Sequence, residues 1–156
     1  MKTKSIRNIL IVGQVLLFLS SCNALKTAPY DQYSFQKAVE IKVEASNLMK
    51  KATNPFSSYE QEVEELQLEL EKMVVYEANK PNNGISYEMW GLLADQDKNL
   101  LGGFLKRWEE QEKLGQVFLN EAQSQVTEAI DMIIRYEGKK DKESENGIMQ
   151  FILDNR

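Results

Sequence analysis

Apolar residues recur at intervals of three and four along most of this chain, the spacing that places side chains on one face of an α-helix. The two most regular series lie at Tyr59, Val63, Leu66, Leu70 and Met73, and at Leu119, Ala122, Val126, Ala129, Ile133 and Tyr136. A wider apolar face begins near Asp31 or Ser34, and another stripe runs from Leu100 to Trp108. The alternation typical of β-strands is absent over any useful length, so the pattern predicts an all-α protein.

Helix-breaking residues separate these segments. Asn54-Pro55 is expected to end the first helix, and the sequence Pro-Asn-Asn-Gly at 81–84 the second. A turn near Leu114-Gly115 precedes the last long helix, for which Gly138 is the expected C-cap. Helices joined by such short breaks predict an antiparallel helical bundle of about four helices over residues 31–138. Residues 139–156 are interpreted as a charged linker and an apolar C-terminal tail.

Short polar side chains provide candidate N-caps for the predicted helices. Ser34 is a candidate cap for the first helix, and Ser86 for the third. Ser57 and Ser58 are each followed by Glu or Gln three residues later, which is the signature of a capping box. The second helix is therefore expected to begin directly after these two serines.

The first residues follow a different pattern. Lys2, Lys4 and Arg7 precede an apolar segment from Ile9 to Leu19, and two small residues then lead to Cys22. This order is typical of a secretory signal peptide. The apolar segment is shorter than the roughly 20 residues that a membrane-spanning helix requires.

The run Leu19-Ser20-Ser21-Cys22 resembles the lipobox of bacterial lipoproteins. The resemblance implies a signal peptide over residues 1–21, a lipid on the new N-terminal Cys22, and a tether over residues 22–30. Two or more acyl chains anchor a protein stably to a membrane. Asn23 stands where an aspartate would retain an enteric-type lipoprotein at the inner membrane, so the resemblance favours the outer membrane of the cell envelope, on its periplasmic or surface face.

Charge and composition narrow the range of functions. Removing residues 1–21 leaves 16 Lys and Arg against 24 Asp and Glu, a net charge of −8. This surface repels phosphate backbones, so a nucleic acid partner is not expected. The chain has no histidine, and Cys22 is its only cysteine. These two facts exclude disulfides and histidine-based triads, and they predict no catalytic residue, no metal and no cofactor.

Three motifs offer only partial matches to known chemistry. Asp95 to Asn99 copies the start of an EF-hand loop, but Leu100 replaces its glycine and Lys106 its closing glutamate. Ser34 and Lys37 match the S-x-x-K of serine acyl-transferring enzymes without the partner motifs of that fold. Glutamates three apart, Glu62 with Glu65 and Glu109 with Glu112, lack the histidines of carboxylate-bridged metal bundles and are interpreted as a solvated face.

The densest unusual run lies between residues 99 and 108. Paired glycines allow close approach of another backbone or a ligand, and aromatic and arginine side chains are enriched at binding hot spots. The predicted partner-binding residues are Gly102, Gly103, Phe104, Lys106, Arg107 and Trp108. The alternative interpretation is plain core packing, since large apolar residues at helical spacing are usually buried.

These observations favour a non-enzymatic, lipid-anchored envelope protein whose helical domain binds another protein or serves as a structural module. A narrower version is an inhibitor or immunity protein against a toxin or lytic enzyme, because a small acidic domain suits a basic partner. A different class is a hydrolase with a carboxylate pair drawn from Glu60, Glu88, Asp95 and Asp97.

Overall fold

The computed structural model describes residues 28–155, so the predicted signal peptide, Cys22 and most of the tether lie outside the described residues. The described part is all-helical, which confirms the predicted fold class. Its helices are α1 (Gln32–Met49), α2 (Glu60–Ala78), α3 (Gly84–Ala94), α4 (Leu101–Gln111), α5 (Gln116–Lys139) and α6 (Lys142–Asn155), with a short 3₁₀ turn at Phe56–Ser58. Between residues 28 and 155 no helix combines the length and the apolar character needed to cross a bilayer.

Two departures from the sequence pattern raise the number of helices from about four to six. A loop over residues 95–100 divides the region after residue 84 into α3 and α4. The expected charged linker at residues 139–146 is mostly helical, because α5 continues to Lys139, and α6 begins after only Lys140 and Asp141. Lys140 turns the chain with a φ of 50°, and Asp141 Oδ1 accepts a hydrogen bond of 2.9 Å from the Ser144 N–H.

Contacts between helices fix the direction in which they run. Lys37 on α1 pairs with Glu69 on α2, and Lys51 pairs with Glu62, so these two helices run in opposite directions. Lys42 likewise pairs with Asp131 on α5, and Gln123 Nε2 donates to the Ser46 carbonyl. Helix α1 therefore lies antiparallel to both α2 and α5.

This arrangement gives the domain two distinct ends. The end that includes Ala28, the start of α1, and the ends of α2 and α5 is called here the tether end. At the other end, called the far end, the Leu114 N–H donates to the Ala52 carbonyl over 2.8 Å. The Phe56 N–H donates to the Glu112 carbonyl over the same distance.

The two regular apolar series form the centre of the core. Apart from Tyr59, which is only partly buried, every residue of both series is buried. The two tryptophans, Trp90 on α3 and Trp108 on α4, are also wholly buried. Ile148 and Ile152 dock α6 onto the same cluster. Each such side chain contributes roughly 1.5–3 kcal/mol through the water-exposed area it loses.

Helix starts follow the predicted caps only in part. Asp31 caps α1 and accepts from the Tyr33 N–H over 2.9 Å. The capping box at Ser57 and Ser58 is wrong, because both residues belong to the 3₁₀ turn and α2 begins at Glu60. Ser34 and Ser86 lie inside α1 and α3. Their hydroxyl groups donate hydrogen bonds to the buried carboxylates of Glu77 and Glu137.

Candidate functional site

A cleft of about 690 Å³ opens beside α4 and α5, nearer to the far end. Its walls come from the loop over residues 95–100, the first turns of α4, the first half of α5 and the end of α6. Its lining includes Asp97, Lys98, Gly103, Phe104, Lys106, Arg107, Glu110, Phe118, Glu121, Gln125 and Glu128. The cleft thus includes four of the six residues predicted to bind a partner.

A stack of three side chains forms the aromatic side of this cleft. The rings of Phe104 and Phe118 lie parallel, with centroids 6.2 Å apart. The guanidinium carbon of Arg107 lies 4.7 Å from the centroid of the Phe118 ring. Arg107 is exposed, and within residues 28–155 it makes no ion pair with a carboxylate. Its planar donors are therefore held on an aromatic surface without a hydrogen-bond acceptor among residues 28–155.

Charged groups of both signs line the cleft, and Asp97 and Glu110 lie on the same side as its cations. Lys98, Lys106 and Arg107 come from the loop and α4, whereas Glu121 and Glu128 come from α5. Glu121, Gln125 and Glu128 follow one another at spacings of four and three, which places them on the same face of α5. A bound segment would therefore meet the carboxylates of α5 on one side and both cations and carboxylates on the other, with aromatic rings from α4 and α5 between them.

The paired glycines hold the loop against α4 rather than admitting a ligand. A Cβ atom at Gly102 would lie 2.2 Å from the Ala94 carbonyl oxygen, and one at Gly103 would lie 1.8 Å from the Lys98 carbonyl oxygen. These distances are impossible for a side chain, so the close backbone approach predicted at this position occurs within the chain itself. The glycines shape the cleft by allowing the loop to pack closely.

Phe104 lines the cleft but is only 3% exposed, and two other predicted partner-binding residues lie in the core away from the cleft. Gly102 is buried beneath the loop, and Trp108 is wholly buried. The Trp108 indole donates to the Asn54 carbonyl over 3.1 Å and meets the ring of Phe56 edge-on. The alternative interpretation, core packing, is therefore correct for these two positions, because their stripe faces the 3₁₀ turn and α3 rather than the cleft.

Two residues of the partial EF-hand match, Asp97 and Lys106, form an ion pair. Lys106, at the position of the closing glutamate, lies 2.9 Å from Asp97 Oδ1. Hydrogen bonding to Lys106 lowers the pKa of Asp97, and the same contact raises the pKa of Lys106. Asp95 Oδ1 accepts from the Asp97 N–H and so shapes the loop. In the described part of the chain no three acidic, histidine or cysteine side chains are grouped to hold a metal ion.

The sequence interpretation missed a buried polar network at the tether end. Glu77 on α2 is almost completely buried and accepts hydrogen bonds from Ser34 on α1 and Asn83 before α3. Lys80 Nζ lies 3.0 Å from both Glu77 Oε2 and Asp31 Oδ2. This network joins α1 and α2 to the turn that leads into α3.

A second buried carboxylate continues the network on α5. Glu137 is wholly buried and accepts from Ser86 on α3, and its Oε1 lies 2.9 Å from Lys140 Nζ. The same lysine lies over the ring of Tyr136, 4.2 Å from its centroid. Burial, followed by the charge of Glu137, raises the pKa of Tyr136 to about 12. Glu137 Oε2 has no hydrogen-bond partner among the described residues.

The network contains a serine and a lysine in contact, but not the pair that the sequence motif names. Ser34 Oγ accepts from Lys80 over 2.8 Å, whereas Lys37 pairs with Glu40 and Glu69. Burial alone would lower the pKa of Lys80, but its bonds to Glu77 and Asp31 outweigh that effect and raise the pKa. Lys80 therefore remains a cation and is a poor proton acceptor for the buried Ser34 hydroxyl.

The two glutamate pairs that were interpreted as a solvated face do not form a metal site in the part of the chain that the structure describes. Glu62 pairs with Lys51, and Glu65 accepts from Gln61. Glu109 and Glu112 are both exposed at the end of α4.

In comparisons with protein families, curated proteins and solved structures, the chain matches none of them.

Proposed function

We propose that this protein is an envelope lipoprotein that is anchored to a membrane through Cys22 and binds another protein in the cleft beside α4 and α5. The proposed role is non-enzymatic. The outer membrane is the proposed location, on the basis of Asn23 and the lipobox-like sequence before it.

The observation that carries the binding proposal is the position of Arg107. Its guanidinium group rests on Phe118 at the edge of the cleft, exposed and without an acidic partner among residues 28–155. A preorganised arginine beside stacked aromatic rings resembles the centre of a protein interface, where arginine and aromatic residues contribute most of the binding energy. The volume of about 690 Å³ is sufficient for a few side chains of a partner.

Site-directed crosslinking in the native envelope tests this proposal. A photoreactive amino acid in place of Gln125, which lines the cleft, should crosslink to one defined protein. The same residue in place of Lys50, which is exposed on the α1 side and outside the cleft, serves as the matched control. Equal crosslinking from both positions, or none from Gln125, would contradict a binding site in the cleft.

Lipid anchoring is tested separately. Cys22→Ser should abolish incorporation of a tagged fatty acid and leave an unprocessed precursor, since serine offers no thiol for the diacylglyceryl group. Equal labelling of both proteins would rule out Cys22 as the lipid acceptor. The crosslinking result does not depend on this outcome.

The acidic wall favours a particular kind of partner. Glu121 and Glu128 make no ion pair within residues 28–155 and face the cleft from α5. A partner segment with basic side chains would neutralise them, which supports the narrower proposal of an inhibitor or immunity protein against a basic toxin or lytic enzyme. The hydrolase alternative has weaker support, because its candidate acids are distributed over α2 (Glu60), α3 (Glu88) and the loop (Asp95, Asp97).

A further inference from the structure

Exposed aromatic side chains are concentrated at the tether end. Tyr30, Tyr33 and Tyr76 have exposed fractions of 56%, 42% and 37%, and the neighbouring Val75 is 57% exposed. The rings of Tyr33 and Tyr76 are 4.7 Å apart, and the Tyr76 hydroxyl donates to Asp31 over 2.8 Å. The contact between Tyr33 and Tyr76 joins α1 to α2, and Tyr30, whose ring lies 6.3 Å from that of Phe35, is exposed at the same end. The exposed side chains Tyr30, Tyr33, Val75 and Tyr76 are called here the tyrosine surface.

The start of the described chain lies at this same end. Ala28 is only 2% exposed, so the polypeptide is already packed against the domain at this residue. Cys22 lies six positions earlier in the sequence. Even a fully extended chain covers only about 20 Å over that length. A lipid on Cys22 would therefore keep the tyrosine surface close to the bilayer.

The carboxylates nearest the tyrosine surface are neutralised by lysines. Asp31 and Glu77 are paired with Lys80, and Glu137 is paired with Lys140. Asp141 and Glu143, also at the tether end, are exposed and make no ion pair among residues 28–155. At the far end, Glu60, Glu109 and Glu121 are exposed and make no ion pair in the described part of the chain. Free carboxylates are repelled by anionic headgroups, whereas neutralised pairs beside tyrosines are not.

We infer that the tyrosine surface rests on the membrane, with Tyr30, Tyr33 and Tyr76 in the headgroup region of the lipid. Tyrosine favours this region because its ring is apolar and its hydroxyl remains hydrated. The inference rests on the proposed lipid anchor at Cys22. Phe118 precedes Gly138 by 20 positions along α5, which amounts to about 30 Å of helix. The cleft would thus face away from the bilayer, where a partner can reach it.

Paramagnetic broadening on a nanodisc tests this orientation. Because Cys22 is the only cysteine, the mature chain can be coupled through it to a maleimide lipid, independently of lipidation in the cell. The probe is a phosphatidylcholine nanodisc that carries nitroxide-labelled headgroups. The two sensors are the methyl groups of Val75 and of Val117, exposed valines at the tether end and the far end. We expect the Val75 signals to lose at least about half their intensity, and those of Val117 to change little.

A double variant, Tyr30→Ser with Tyr33→Ser, separates lipid contact from mere proximity. It should reduce the broadening at Val75 about twofold or more, because the interfacial tyrosines are lost while the tether remains. Val117→Ser is the matched control and should leave Val75 broadened. Circular dichroism verifies that each variant is folded.

Several outcomes would overturn the inference. Equal broadening of Val75 and Val117 would indicate a domain that tumbles freely on its tether. Broadening confined to Val117 would indicate the opposite orientation. If Val75 were broadened as strongly in the double variant as in the wild type, the tyrosines would have no role in the contact. A concentration-dependent shift of Val75 without nanodiscs would indicate that a second copy of the chain covers this surface. None of these outcomes affects the fatty-acid labelling test of Cys22.

Discussion

The hydroxyl of Ser34 donates a hydrogen bond to the buried carboxylate of Glu77, 43 positions later in the chain. Glu77 also accepts from Asn83 and pairs with Lys80. One carboxylate therefore satisfies polar groups from α1, from the end of α2 and from the turn before α3. Its removal would leave Ser34 and Lys80 with Asp31 as their only carboxylate acceptor, and Asn83 with only the backbone carbonyl of residue 77.

Glu77→Ala should lower the free energy of unfolding by up to roughly 3–5 kcal/mol, because Lys80 would retain only the partly exposed Asp31, and Ser34 and Asn83 would lose the buried carboxylate. Urea denaturation measures this change. Glu69→Ala is the matched control, since Glu69 also lies on α2 and pairs with Lys37 on α1, but it is partly exposed. The control should cost no more than about 1 kcal/mol. Similar losses for both variants would contradict the special role of Glu77.

Acid should weaken the tether end through Asp31. Burial alone would raise the pKa of Asp31, but hydrogen bonds from Tyr76 and Lys80 outweigh this effect and lower it to about 2. A carboxylate whose pKa is depressed on folding stabilises the folded state above its unfolded pKa, near 4, and that stabilisation is lost as the pH falls towards 2. Because Asp31 is partly exposed, we expect a contribution of no more than about 2 kcal/mol.

Asp31→Asn isolates this effect, because asparagine caps a helix as well as aspartate but does not titrate. In urea denaturation at a series of pH values, the variant should show a smaller loss of stability between pH 4 and 2 than the wild type. Parallel curves for the two proteins would show that the acid sensitivity arises elsewhere.

The glycines of α3 and α4 should respond in opposite directions to the same substitution. Gly91→Ala should stabilise the protein by about 0.5–1 kcal/mol, since a Cβ there meets no atom within 4 Å and alanine favours the helix. Gly102→Ala should destabilise it by roughly 1–3 kcal/mol, because its Cβ would collide with the Ala94 backbone. Thermal and urea denaturation test both. A Gly102→Ala variant as stable as the wild type would show that the loop moves freely away from α4.

Arg107→Ala should weaken partner binding by roughly 1–3 kcal/mol while barely changing the melting temperature. Arg107→Lys should recover little of this loss, because lysine lacks the planar fork that stacks on Phe118. Titration of the crosslinked partner, once identified, measures both. Arg135→Ala provides an exposed arginine on α5 outside the cleft as the control. Equal affinity of the Arg107 and Arg135 variants would remove Arg107 from the interface.

Periodicity predicted the long helices well, because their stability depends on apolar residues that recur in sequence. Leu70 and Ile133 are buried as the series requires, and Asp31 caps α1. The network was missed although a signal was present. Glu77 follows Met73 by four positions, and Glu137 follows Ile133 by four, so both carboxylates continue an apolar face into the core. An acid on such a face indicates a buried partner, but the identity of Ser34 or Ser86 as that partner depends on how the helices pack.

The cleft was predicted only in part, because its side chains come from helices that meet only after folding. Arg107 and Phe104 were identified from their local sequence, whereas Phe118 and Glu121 come from α5 and meet them only after folding. The last helix was not predicted, because its first turn is charged and was therefore interpreted as part of a linker. Asp141 and Ser144 provide a local N-terminal cap, and Ile148 and Ile152 supply the buried face that stabilises the helix.

The complete burial of Trp90 and Trp108 supplies the protein with its own optical probe. Neither indole touches water in the folded domain, so native fluorescence should be emitted at short wavelength and shift to the red when the core opens. Trp108 contacts the 3₁₀ turn and α2 through Phe56 and Tyr59 at the far end. A variant that retains only Trp108 would therefore report whether the far end melts before the tether end, without any added dye.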